Sequence, residues 1–243
     1  ALSISLPSIF HSPLFAILDG RTAPIYLNSV YTFTQGEWAR GSVFFRQGFD
    51  LPVGGTVYLG IDGGFVNGPI RLNGGTLVLE KPIVIREAGY FIAGGFISGT
   101  PGQPDSMLIN YESGLWSGAG TVKFIKTSMT FLGNLAIMDS SGVTIDLREA
   151  GGDIFFVGGK IILRKLLTST TTPARIWFVN TNIVATGSSF IFNNPEIYFA
   201  GNVSLTNSFS IVTLKKMVLL PFTKMIAYPD CAINLNQISI PYE

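Results

Sequence analysis

The chain has 243 residues and a formal net charge of +1, because 16 Lys and Arg are balanced by 15 Asp and Glu, and no basic block occurs. It therefore lacks the electrostatic footprint of a nucleic-acid-binding protein, and we expect no nucleic-acid partner. Only 13% of the residues are charged and 47% are hydrophobic, whereas soluble domains carry about 25% charged residues. Partner subunits or a membrane would cover such a surface. No apolar run reaches the length of about 18 residues that an integral membrane helix needs.

The first element is an N-terminal segment, residues 1–18, that contains no charged residue. Pro7 and Pro13 disfavour a helix or a central strand there. We expect this segment to cap the first coil of the fold or to act as an arm that pairs with a neighbouring subunit. Its candidate assembly residues are Ile4, Leu6, Ile9, Phe10, Leu14 and Phe15. The start at Ala1 is typical of a secreted form without its leader, although a cloning boundary would give the same start.

A repeat follows, marked by Gly-Gly pairs that begin at Gly54, Gly74 and Gly94, each 20 residues after the last. The first two pairs precede matching alternating runs, residues 56–59 and 76–79. A period near 20 with two or three short strands is typical of one coil of a parallel β-helix. Glycine suits the corners, where the backbone bends sharply. The sequence thus predicts an all-β fold, a single parallel β-solenoid with coils of about 20 residues.

The same spacing predicts that Ile70 and Leu72 align with Tyr90 and Ile92 in the next coil. Helical periodicity is nearly absent, and short apolar runs bounded by turn residues continue along the chain. These further predicted strands include Ile83–Ile85, Val143–Leu147, Lys160–Leu163, Arg175–Phe178 and Gly201–Leu205. We assign residues 19–216 to the coils of one domain that spans residues 1–243.

The C-terminal segment, residues 217–243, is again apolar and contains three prolines. We expect it to cap the other end or to receive the N-terminal arm, with Ile238 and Ile240 as candidate assembly residues. Solenoid ends expose unpaired strands, which proteins cover or use for association. Apolar segments at both termini therefore predict head-to-tail self-association, which gives a filament when the contact does not close into a ring.

No combination of residues indicates a competent active site. The one histidine, His11, lies in the uncharged N-terminal segment, and the one cysteine, Cys231, allows neither a disulfide nor a thiolate zinc site. The nearest catalytic candidates cluster around a Gly-Gly corner, and alternation predicts that the first of them is solvated: Asp146, Arg148, Glu149 and Asp153. We expect no catalytic residue, cofactor or metal.

Residues 54–215 resemble the β-solenoids of bacterial surface and secreted proteins, which are rich in Gly-Gly-Thr. The motifs that carry this resemblance are Gly54-Gly55-Thr56, Gly74-Gly75-Thr76 and the alternating strands after them. Autotransporter-passenger-like adhesins and fibre-forming proteins belong to this group, so the resemblance implies an extracellular or cell-surface role in structure or adhesion. Polygalacturonase-like β-helix enzymes need adjacent Asp pairs and a Gly-His-Gly motif, and this sequence has neither.

These observations favour a structural, self-associating subunit of an extracellular fibre, filament or surface layer. The alternative is a monomeric adhesin or glycan-binding passenger domain whose partner is a glycan or a host surface. Its candidate glycan contacts are Tyr111 and Trp116, whereas Trp177, between Ile176 and Phe178, is predicted to lie next to the core. A β-helix enzyme that cleaves polysaccharides is less favoured.

Overall fold

The structure is a computed structural model that describes residues 17–86, 90–92, 94–99, 106–110, 114–116, 120–133, 135–137, 143–163, 166–167, 175–185, 190–206, 209–229, 231–235 and 238–239. Across these residues it is all-β without a helix. Parallel strands stack as a β-solenoid with about 21 residues between successive coils. The predicted fold is therefore confirmed, and the coil length is close to the repeat of the glycine pairs.

The strands up to residue 99 are β1 (Ile17–Leu27), β2 (Tyr31–Thr32), β3 (Trp38–Phe45), β4 (Phe49–Asp50), β5 (Thr56–Ile61), β6 (Phe65–Val66), β7 (Pro69–Arg71), β8 (Thr76–Leu79), β9 (Ile83–Ile85), β10 (Tyr90–Ile92) and β11 (Gly95–Gly99). The strands that follow are β12 (Ser106–Asn110), β13 (Gly114–Trp116), β14 (Gly120–Leu132), β15 (Leu135–Ile137), β16 (Val143–Val157), β17 (Lys160–Leu163), β18 (Leu166–Leu167), β19 (Arg175–Val179), β20 (Asn182–Ala185), β21 (Phe190–Ala200), β22 (Asn202–Thr206), β23 (Phe209–Leu219), β24 (Lys224–Ala227), β25 (Ala232–Leu235) and β26 (Ile238–Ser239).

The coils have three faces. The consecutive strands β5, β6 and β7 pair in parallel with β8, β9 and β10 of the next coil, and we call these the first, second and third faces. The first two faces belong to one 16-stranded sheet, because long strands such as β14 and β16 continue from one face to the other through a register shift. The third face consists of a four-stranded sheet followed by a six-stranded sheet.

The two glycines of each Gly-Gly pair have different roles at their corner. Gly54 and Gly74 take φ values of 65° and 71°, a left-handed conformation that glycine adopts without a steric penalty. The second glycine allows close stacking, since a Cβ on Gly75 would lie 2.6 Å from the carbonyl oxygen of Gly55. Parallel pairing of Thr56 with Thr76 confirms the register of this corner.

The predicted alignment of Ile70 with Tyr90 is wrong by one residue. Ile70 pairs with Phe91, and Arg71 pairs with Ile92, so the predicted match of Leu72 with Ile92 is shifted as well. Ile70 and Phe91 are both fully buried, and alternation in a strand allows only one of two neighbours to face the core. Burial of the Phe91 ring therefore sets the register on the third face. The spacing between paired residues there is 21 residues rather than 20.

The core between the faces is filled with aliphatic and phenylalanine side chains. In the C-terminal coils Phe131, Phe156, Phe178 and Phe199 form a buried ladder, with ring centroids 5.1, 5.3 and 5.7 Å apart and planes within 22° of each other. Full burial of each such side chain contributes about 1.5–3 kcal/mol of transfer free energy. Because each ring contacts the one in the next coil, the ladder joins the coils through the core.

Parallel pairing continues beyond residue 216, the predicted end of the coils. β23 spans that position, and its residues Met217 and Val218 are buried. β24 pairs with β22, and β25 and β26 both pair with β23. The described part of the predicted C-terminal segment therefore carries strands that stack on the solenoid.

Candidate functional site

Most residues predicted to mediate assembly or glycan contact lie outside the described residues: Ile4, Leu6, Ile9, Phe10, Leu14, Phe15, Tyr111 and Ile240. Ile238 starts β26 and pairs with Met217 of β23. Trp116 ends β13 and pairs with Ile137 of β15. The roles assigned to all of these residues stay predictions.

An exposed apolar surface lies on the coil that contains β24. Phe222, Ile226 and Tyr228 are exposed there, and we call them the C-terminal apolar surface. Among the described residues β24 is the last strand of its sheet, with β22 as its neighbour. Water therefore meets both apolar side chains and a free strand edge at this end of the described stack.

Phe222 has the most unusual conformation on this surface. Its φ is 62° and its side chain is 92% exposed. At the same corner the two preceding coils place Asn180 and Gly201 in the left-handed region, and both residue types tolerate it far better than a bulky aromatic residue does. The chain thus holds a strained, exposed phenylalanine where glycine or asparagine would suffice.

A second apolar surface lies at the other end of the described stack. Ile17, Tyr26 and Val30 are exposed, and we call them the N-terminal apolar surface. Ile17 and Tyr26 belong to β1, which pairs with β3 and with no other described strand. The two ends of the described solenoid therefore share apolar exposure and an open strand edge.

Aromatic side chains also stack on the outside of the second face. Phe155, Trp177 and Tyr198 occupy paired positions in successive coils. Trp177 lies between the other two rings, 5.5 Å from Phe155 and 4.1 Å from Tyr198 between centroids, with planes within 19° of parallel. We call these three residues the outer aromatic stack. Trp177 is half-buried and faces outward, and its Nε1 is buried without a hydrogen-bond partner among the described residues.

The geometry of this stack decides what Trp177 can bind. Both faces of its ring are covered by neighbouring rings, so it presents an edge to solvent. A sugar ring packs its C–H groups against the electron-rich face of an aromatic ring, not against the edge. Trp177 therefore contributes cohesion between coils and does not provide a glycan platform.

The expectation that Asp146 is solvated is wrong, because its residue surface is 2% exposed. The guanidinium of Arg148 folds over it and donates to both carboxylate oxygens, at 2.9 and 2.7 Å. Burial opposes ionisation of Asp146, but the hydrogen bonds and charge of Arg148 outweigh it, so the pKa of Asp146 is lowered from its ordinary 3.8.

The neighbouring carboxylates are paired separately. Glu149 accepts from Lys123 at 2.5 Å, and Asp153 accepts from Arg175 at 2.6 and 2.8 Å. Each of these carboxylates thus has its own hydrogen-bonded cation, and the pairs also interact electrostatically, Lys123 with Asp146 and Arg148 with Glu149. Such pairs stabilise local structure and leave no free general base here.

In the N-terminal coils an ion pair spans two coil steps on the first face. Arg40 donates to both oxygens of Glu80 at 3.1 Å, and Gly60 lies between them, where a Cβ would be 2.8 Å from the Glu80 carboxylate. The Arg40 guanidinium also lies 3.7 Å from the ring centroid of Trp38. A residue without a side chain at position 60 therefore makes room for this bridge.

An exposed pair lies beside this bridge at the start of the solenoid. Arg21 donates two side-chain hydrogen bonds to Asp19, at 2.8 and 2.6 Å, and its backbone amide donates a third. These interactions lower the pKa of Asp19 to about 2. Acidic and basic groups of the first face are thus matched locally, as they are near Asp146.

Sequence reasoning missed Phe222 and Tyr228 because they lie in an apolar segment without any repeat. The register shows how this corner differs: residues 220–223, which include Pro221 and Phe222, stand where the preceding coil has only Ala200 and Gly201. The loss of a corner glycine marks a coil whose corner is built differently.

Within the described residues no group of three or more His, Cys, Asp or Glu is placed to hold a metal ion. The described part of the chain also contains no helix with the length and apolar character needed to cross a membrane. Comparison with protein-family models, with curated proteins and with solved structures gives no match to this chain.

Proposed function

We propose that this chain is a structural subunit that associates with further copies of itself through the ends of its solenoid, in an extracellular fibre, filament or surface layer. The observation that carries the proposal is Phe222, a residue that is 92% exposed and has left-handed backbone. Holding a bulky residue in this conformation costs about 1–2 kcal/mol. A ring that a neighbouring copy covers would recover that cost by burial.

The N-terminal apolar surface is the partner that we propose for the C-terminal apolar surface. The strands of the solenoid are parallel, so β1 of one copy can pair head to tail with β25 and β26 of another copy, the last described strands of the first two faces. Such a contact joins two different surfaces and extends without limit unless it closes into a ring. The predicted arm, residues 1–18, would add contact area at this junction.

Paired charges support a structural role over catalysis. Asp146, Asp153 and Glu80 each form an ion pair with arginine, which neutralises them and fixes their geometry. The low net charge also favours self-association, because it reduces electrostatic repulsion between copies.

The test is a comparison of Phe222→Gly with Val53→Gly. Val53 is also exposed, at 90%, but belongs to neither apolar surface. Glycine at position 222 removes both the ring and the left-handed strain, so we expect a free energy of unfolding that is unchanged or higher and a large loss of assembly. Sedimentation velocity and negative-stain electron microscopy at several concentrations measure the assembly.

The Val53→Gly variant should assemble like the parent chain. Assembly of Phe222→Gly at the parental concentration would overturn the role of Phe222, and a dispersed parent chain at all concentrations would overturn self-association itself. Deletion of residues 1–16 separately tests the arm, which we expect to weaken assembly further.

A further inference from the structure

A polar groove of about 450 Å³ lies on the third face, beside β20, β22 and β24. Its volume falls within the range of about 300–1,000 Å³ that is typical of small-ligand sites. None of its described lining residues is acidic, and the polar ones that the argument uses are Asn180, Asn182, Asn202, Ser204, Lys224 and Tyr228. The groove therefore presents amides, a hydroxyl, an ammonium group and a tyrosine.

One wall of the groove is built by the contact between two coils. Asn180 takes a φ of 51°, and its Oδ1 accepts a hydrogen bond of 3.0 Å from the backbone N–H of Asn202. Gly201 lies directly beneath this side chain, because a Cβ there would be 2.1 Å from the same oxygen. Asparagine tolerates the left-handed backbone at position 180, and glycine at position 201 leaves room for the Asn180 side chain. These two residue types together form the wall.

The polar groups on the open side of the groove are not used by the fold. Thr181, at its inner side, is buried, and its hydroxyl lies 2.9 Å from the carbonyl oxygen of Val179. By contrast, the side chains of Asn202, Ser204 and Lys224 have no hydrogen-bond partner among the described residues. Hydrogen-bonding capacity is thus free where a ligand would lie.

The floor of the groove contains an unsatisfied acceptor. Asn182 pairs with Ser204 of the next coil, and its Oδ1 is buried without a hydrogen-bond partner among the described residues. The amide of Asn182 thus has an acceptor that the described part of the fold leaves unused.

Two other cavities, of about 290 and 430 Å³, lie beside the N-terminal coils and differ in chemistry. Most of their charged groups are already paired, Lys81 with Asp62 at 2.6 Å and Arg40 with Glu80 at 3.1 Å, whereas the Arg86 guanidinium lies over the ring of Phe65. A ligand would have to break these pairs to bind. The groove on the third face needs no such exchange.

We propose that this groove binds a saccharide unit that carries an acidic group. Uncharged amides and a hydroxyl match the many neutral hydroxyls of a sugar, and these groups outnumber the charged group in the lining. Lys224, on the rim, supplies a cation for a carboxylate or sulfate. Tyr228, 52% exposed at the edge, offers a large amphipathic surface to the sugar.

The experiment is calorimetric titration of the full chain with trigalacturonate, with a sulfated heparin tetrasaccharide and with neutral maltotriose. We expect saturable binding of at least one acidic probe and much weaker binding of maltotriose. Tyr228→Ala should weaken binding at least fivefold, as expected for an aromatic contact. Lys224→Gln should weaken it about threefold and reduce its dependence on salt.

Matched controls separate the groove from general effects. Tyr26 is also 52% exposed but lies in the N-terminal apolar surface, so Tyr26→Ala is titrated at a concentration at which the parent chain is monomeric, where it should bind saccharide like the parent chain. Lys81→Gln removes the same charge as Lys224→Gln far from the groove and should have little effect. Equal losses in these controls would overturn the assignment to this groove.

The saccharide proposal rests on different observations from the assembly proposal, and each can be overturned without the other. Ile226 and Tyr228 belong both to the C-terminal apolar surface and to the groove, so a neighbouring copy would cover part of the groove, and sedimentation of every variant is measured beside the titration. We expect Phe222→Gly to lose assembly and to keep saccharide binding. If neither acidic probe binds, the saccharide proposal is overturned, whatever the state of assembly. If maltotriose binds as tightly as the acidic probes, the claim that the saccharide carries an acidic group is overturned.

Discussion

The N-terminal coils, residues 17–86, and the C-terminal coils, residues 143–229, share one backbone ladder, and both join their outer faces by ion pairs and aromatic contacts, but in different geometries. In the N-terminal coils Arg40 reaches across Gly60 to Glu80, so an ion pair links coils two steps apart. In the C-terminal coils Trp177 stacks between two rings. The C-terminal coils also have an ion pair between adjacent coils, Arg175 with Asp153, and the N-terminal coils also have a stacked outer ring pair, Tyr26 with Phe44. The repeated backbone therefore does not dictate how far an ion pair reaches or how many rings stack on the outer faces.

The largest expected effect concerns the core, where the two regions should agree. Phe178→Ala removes the middle of the buried ladder between Phe156 and Phe199, and Phe45→Ala removes a buried ring that contacts Phe33. Each should lower the free energy of unfolding by about 3–5 kcal/mol, measured by urea denaturation. A loss below about 1 kcal/mol in either variant would contradict the described packing.

Removal of an outer ring should distinguish the regions. Trp177→Ala loses two stacked partners and should cost about 2 kcal/mol. Trp38→Ala loses a single tilted contact with Tyr58 and the contact with Arg40, and should cost about half as much. Equal costs in urea denaturation would remove the proposed difference between the outer faces.

The buried carboxylate should make the C-terminal coils sensitive to acid. The pKa of Asp146 is lower in the folded chain than its ordinary 3.8, so its contribution to stability is present above that pH and is lost as the pH falls through the folded pKa. Asp146→Asn should therefore cost about 1–2 kcal/mol at neutral pH. The difference from the parent chain should shrink below pH 3.8, and a difference that stays constant with pH would rule out the ionised pair.

The smallest effect is expected at the exposed bridge. Glu80→Gln should cost less than about 1 kcal/mol, because Arg40 and Glu80 remain partly solvated. The cost should fall further in 1 M salt, which screens exposed charges, whereas the cost of Trp177→Ala should not fall. A cost of Glu80→Gln that is insensitive to salt would mean that the contact is not electrostatic.

The sequence predicted the solenoid because backbone geometry repeats in it. Gly54 and Gly74 recur since a left-handed corner and close stacking restrict the residue type at each coil. The predicted alignment of Ile70 with Tyr90 is wrong because the spacing on the third face is 21 residues rather than 20. The extra residue lies between the glycine corners, where no sequence motif marks it. Burial of Phe91 determines that register, and burial is a property of the folded chain.

Functional features were harder to predict for a related reason. The amides of the groove come from two coils, Asn180 and Asn182 from one and Asn202 from the next, and only the stacked structure brings them together. Asp146 follows strand alternation, yet Arg148 covers it, which no alternation pattern indicates. A pattern that is read along one strand thus predicts neither the contacts between coils nor a side chain that folds back over its own strand.

The stacking direction of the coils has a mechanical consequence. The backbone hydrogen bonds that join neighbouring coils, such as those between β19 and β21, run along the stack rather than across it. A tensile force along the stack therefore opens these bonds coil by coil, as in unzipping, instead of shearing many at once. Each coil of about 21 residues would release about 70 Å of extended chain. A pulled chain should thus absorb energy in many small steps before it separates from its neighbours.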